Sequence, residues 1–147
     1  MPRSRTVVRS ILAVVVMIIA IVAWRIAPLW TGPSLPAGAT RLHFATQSPN
    51  LSFGCAAALL TGVRVETSGV DIVLVAVGSG DTVRVVWPAG FGAWRVDGKA
   101  VVSDPWGAIV GREGDVLEGL GGGLGDDDSF VICPFGVPTA PSSAGPA

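Results

Sequence analysis

A chain of 147 residues has room for one domain with appendages, and one histidine, two cysteines and no tyrosine leave little material for hydrolytic or metal chemistry. Charge is split along the chain: residues 1–30 hold four arginines and no acid, whereas residues 31–147 hold all eleven acids against six bases. The acidic part has no basic stripe, which excludes nucleic acid as a partner, since phosphate backbones demand clustered Lys and Arg.

The first element is an apolar run. Arg3, Arg5 and Arg9 precede it and Arg25 follows it, with fifteen uncharged residues from Ser10 to Trp24. A span needs about 20 residues, so the run crosses a bilayer only if Arg9 and Arg25 snorkel toward the headgroups. Trp24 and Trp30 then fall at the outer interface, where indoles are favoured, and the arginine asymmetry puts the N-terminus in the cytoplasm and the C-terminus outside. A cleaved signal peptide is the rival reading, with residues 21–23 as a passable cleavage context and a secreted product. The run lacks a clean small-x-small ending, which favours the anchor. Residues 1–30 are therefore read as a cytoplasmic stub and membrane anchor.

Residues 31–39 are rich in Pro and Gly and read as a linker that lifts the following domain off the membrane. Residues 40–135 form the extracytoplasmic domain, and residues 136–147 a disordered tail. Only residues 56–60 look helical within the domain. Elsewhere period-two alternation dominates, as in Val63 and Val65 against Arg64 and Glu66, Val83, Val85 and Trp87 against Thr82, Arg84 and Val86, and Trp94 and Val96 against Arg95 and Asp97. Residues 72–77 are apolar on both faces, as befits a central strand.

The turns are explicit. Residues 78–81 make a hairpin, Asp97-Gly98 is a type I′ signal, and residues 112–115 join strands at 108–110 and 116–117. A last strand occupies 130–133. About seven short strands at this spacing predict a mainly β domain, a small barrel or a compact sandwich, after one N-terminal transmembrane helix. In an oxidising compartment Cys55 and Cys133 form a single disulfide that ties the first strand region to the last.

Val85-Val86-Trp87-Pro88-Ala89-Gly90-Phe91, then Gly107 and Val110, then Gly111-Arg112-Glu113-Gly114-Asp115-Val116, then Gly121-Gly122-Gly123, form a succession of short motifs. It resembles small extracytoplasmic domains, anchored or lipoprotein, of Gram-positive and especially actinobacterial type, over about residues 55–135. The resemblance implies an OB-like five-stranded barrel and a location outside the cell. It carries no catalytic residues.

Four candidate sites follow. Trp87, Phe91, Trp94 and Trp106 could stack on sugar rings or peptides, or plug the ends of a barrel. Asp126, Asp127 and Asp128 could offer oxygens to Ca²⁺, but their spacing is that of a solvated acidic loop. Residues 119–125 place Leu124 where a dinucleotide motif needs glycine, and Lys99 is followed by Ala100, so both phosphate-binding patterns fail and 119–125 reads as a flexible loop. His43 has no partner pattern for a nucleophilic triad, and zinc lacks ligands.

No metal or cofactor is expected. The reading is a non-enzymatic binding or accessory module at the cell envelope, contacting the lipid bilayer and an envelope protein or cell-wall polymer. The alternatives are a structural subunit acting through its helix, where Ala13, Ala20 and Ala23 supply small residues, and a small-ligand sensor. The sensor requires an apolar cavity lined by Trp87 and Trp94.

Overall fold

The computed structural model describes residues 3–49, 58–125, 127–134 and 136–137. The N-terminal run forms helix α1 (Arg3–Ile26), followed by a single turn, α2 (Pro28–Thr31). Pro28 lacks the N–H that would continue the α1 ladder, so the two helices are separated at Ala27, which itself keeps helical dihedrals (φ -51°, ψ -42°). The stretch Arg9–Thr31 is long and apolar enough to cross a membrane, and none of it is buried within the protein. A fully apolar exposed helix is stable only where lipid or a partner replaces water.

Beyond the helix the chain is mainly β. Its strands are β1 (Thr40–Arg41), β2 (Ala58–Leu60), β3 (Val63–Ser68), β4 (Asp71–Ala76), β5 (Thr82–Val83), β6 (Val85–Val86), β7 (Gly92–Val96), β8 (Lys99–Ser103), β9 (Ile109–Arg112), β10 (Val116–Leu117), β11 (Leu120–Leu124) and β12 (Phe130–Ile132). They pair into three four-stranded sheets, in the orders β1-β7-β8-β9, β10-β3-β4-β5 and β2-β11-β12-β6. Among the described residues no ladder joins these sheets into a closed ring, and of the two expected architectures the compact sandwich fits the packing. All pairs are antiparallel except β12 with β6.

Alternation places the core as expected. Val63 and Val65 are fully buried, with Leu74, Trp87, Val102, Leu120 and Ile132 in the same cluster. β4 is an interior strand, and β4 and β5 form the hairpin around residues 78–81. Asp97 (φ 52°) and Gly98 (φ 77°) both adopt the positive φ of a type I′ turn between β7 and β8.

Three local readings are corrected. Residues 58–60 are strand β2 rather than helix, because they pair with β11. Residues 82–87 do not make one strand: β5 pairs with β4 and β6 with β12, so the chain changes sheet at Arg84. The turn at 112–115 falls where expected between β9 and β10, with Asp115 N–H donating to Arg112 O at 2.9 Å. The strands it joins lie in different sheets, β9 against β8 and β10 against β3.

The third correction is the glycine-rich stretch. Residues 120–124 form interior strand β11 rather than a flexible loop. A Cβ on Gly122 would collide with the Val131 carbonyl and the Phe130 ring, so glycine is what allows β12 to lie this close.

The segment 40–47 holds the three sheets together. Thr40 and Arg41 pair with β7. His43 N–H donates to Val70 O (2.8 Å) and His43 O accepts from Ile72 N–H (2.9 Å), reaching the second sheet. Trp87 N–H donates to Ala45 O (2.8 Å), and Gln47 Nε2 donates to Ile132 O (2.5 Å), reaching the third.

Candidate functional site

The site is a groove of about 250 Å³ between the chain leaving α2, the segment 41–46 and the start of β7. Its framework follows from glycine. Gly92 has no Cβ, and one built there would meet Pro33 Cγ at 2.5 Å, so the Pro33 ring lies directly on β7. Residues 32–35 are therefore packed on the β domain and do not lift it away, contrary to the linker expectation. Leu42, Ala93 and Trp94 are buried beneath the groove, with Phe44 and Phe91 half-buried beside it. Arg41, His43 and Thr46 supply exposed polar groups.

The four aromatic candidates do not form one surface. Trp87 is 1 % exposed and belongs to the core. It makes an edge contact with Phe44 (centroids 5.9 Å, 78°) and a tilted one with Phe91 (5.9 Å, 34°), and so sets both rings from behind. Phe91 and Trp94 line the groove. Trp106 is 61 % exposed and lies at the end of α1, its Nε1–H donating to Arg25 O at 3.3 Å.

Arg9, Trp24, Arg25 and Trp30 are exposed along the apolar helix and its following turn. Cys133 is buried and is not a free thiol, while Cys55 lies outside the described residues. Asp126 lies outside them too. Its neighbour Asp127 accepts from Ser129 Oγ at 2.6 Å, which holds its carboxyl below the usual carboxylate range, and sits 4.0 Å from Arg84. That arrangement ties off the loop before β12. Among the described residues no three His, Cys, Asp or Glu side chains are grouped to hold a metal.

Sequence reasoning missed Arg41, Leu42 and Phe44 as parts of the site. The signal was present: Arg41, Leu42, His43 and Phe44 alternate polar and apolar as a half-buried strand does. The groove's hydroxyl and ring-nitrogen groups are those of Thr46, His43 and Trp94, with no Ser, Cys or acid among the lining residues. Such a surface can grip an apolar or aromatic group and meet a polar one with Arg41 and His43.

No protein-family model, no curated protein and no solved structure matches this chain. The functional reading therefore rests on the groove and the helix themselves.

Proposed function

We propose that this protein is a single-pass membrane protein, N-terminus in the cytoplasm, whose β domain is a non-enzymatic binding module at the outer face of the membrane. The domain is of the small extracytoplasmic type that the Trp87-to-Gly123 motifs resemble, closed by a Cys55–Cys133 disulfide. The groove is its binding site for an envelope partner, protein or cell-wall polymer. The observation that carries this reading is the groove itself: Phe91, Phe44 and Trp94 provide apolar contact area, and Arg41 and His43 provide polar contacts. Aromatic anchors in a concave site with few polar groups are the usual make-up of a binding pocket. Arg9, with the arginines before it, and Trp24 and Trp30 support the stated orientation through charge asymmetry and interfacial indoles.

A photo-reactive residue at Phe91 in the full chain, expressed in cells and activated by light, tests the proposal. The expected result is a discrete adduct that Arg41→Ala weakens and that the same probe at Leu124, exposed on β11 away from the groove, does not form. Equal adducts at both positions, or none at Phe91, would overturn it.

A further inference from the structure

Trp106 is the most exposed aromatic residue of the described β domain, at 61 %, and its loop is built to hold it there. Asp104 Oδ1 accepts from the N–H groups of Trp106 (2.9 Å) and Ala108 (2.8 Å), and Gly107 N–H returns to Asp104 O (3.1 Å). Pro105 is buried and Gly107 takes a φ of 89°. A large apolar side chain fixed outward by three hydrogen bonds marks a contact surface rather than a loose end.

The position of the indole says what it contacts. Its Nε1–H donates to Arg25 O, in the last turn of α1. In a helix ending at Ile26 the last four carbonyls have no partner within the helix, and the Trp106 indole supplies a donor to one of them. A second loop touches the same end: a Cβ on Gly90 would meet Leu29 Cα at 2.7 Å and Pro28 O at 2.8 Å, so the turn before β7 rests against α2. Trp106 thus lies level with the end of α1, where Trp24 (78 % exposed) and Arg25 stand, with Trp30 (67 %) on the turn just beyond.

We propose that the loop 104–108 is a second membrane contact, with Trp106 seated in the headgroup–acyl boundary of the bilayer beside the end of α1. The indole's apolar body and single N–H suit that boundary. The β domain then lies on the membrane surface, held by two loops as well as by the chain. This inference rests on the membrane-anchor reading of α1.

The test uses the full chain carrying Trp24→Phe and Trp30→Phe, reconstituted in vesicles of phosphatidylcholine and phosphatidylglycerol. Trp87 and Trp94 remain as buried internal references. Lipids brominated near the top of the acyl chain should quench a blue-shifted part of the emission, and that part should vanish in the further variant Trp106→Phe. If the protein floats with the vesicles while that emission is quenched by aqueous acrylamide and not by bromolipid, the loop faces water and the proposal fails although the anchor stands. If the protein does not float, the anchor reading fails and this inference with it.

Discussion

Glu113 shows how one side chain can join separate strands. Its carboxylate accepts from Ala100 N–H (3.0 Å) at the β7–β8 hairpin and from Thr67 Oγ1 (2.8 Å) on β3. The backbone bond to Ala100 and then the Thr67 hydroxyl hold its carboxyl below the ordinary value. The folded pKa is thus below the unfolded one, so its contribution to stability is present above the unfolded value and is lost as pH falls through the folded value. Glu113→Gln should flatten that acid limb: the urea midpoint of the native chain should drop more steeply with acid than that of the variant. Parallel curves would show that Glu113 does not couple folding to protonation.

At the level of elements, legibility followed locality. The Asp97-Gly98 turn and the buried faces of β3 and β4 were legible because each depends on residues within a few positions of one another. β11 was not. Three consecutive glycines carry no side-chain alternation, so the stretch reads as a loop until the approach of β12 is known. Likewise residues 58–60 carry an apolar run too short to separate helix from strand, and only pairing with β11 decides it. The split at Arg84 depends on two partners about ten and forty residues away in the chain, β4 and β12. The groove was half legible: Phe91 and Trp94 stand out by residue type, but Arg41 joins them only through the β1–β7 pairing and Phe44 through its contact with Trp87. Because β11 is tight against β12, Gly122→Ala should destabilise the domain by about 1–3 kcal/mol through overpacking. Gly119→Ala, where no atom crowds a new Cβ but φ is 69°, tests strain without crowding and should cost about 1–2 kcal/mol. Chemical denaturation of the two variants checks this, and a neutral Gly122→Ala would refute the close packing.

The whole molecule depends on links between its ends. A Cys55–Cys133 bridge would close a loop of about 79 residues, for which the chain-entropy estimate is about 4–5 kcal/mol. Reduction in mild denaturant should therefore unfold the domain, and mass analysis after alkylation should show two added groups only after reduction. Unchanged stability on reduction would remove the bridge from the account. The stitch made by residues 40–47 acts by a different route. This segment precedes most of its partners in the chain, so it is synthesised before them. Its partners Val70, Trp87, Ala93 and Ile132 are made later, the last of them near the end of the chain. Contacts so distant in sequence slow folding. The segment 40–47 thus waits for partners that lie far ahead of it in the chain. A ribosome-bound chain stopped before Ile132 keeps the Trp87 bonds to Ala45 and Gln47 but lacks the Gln47 side-chain bond to Ile132, so the stitch is completed only when β12 arrives.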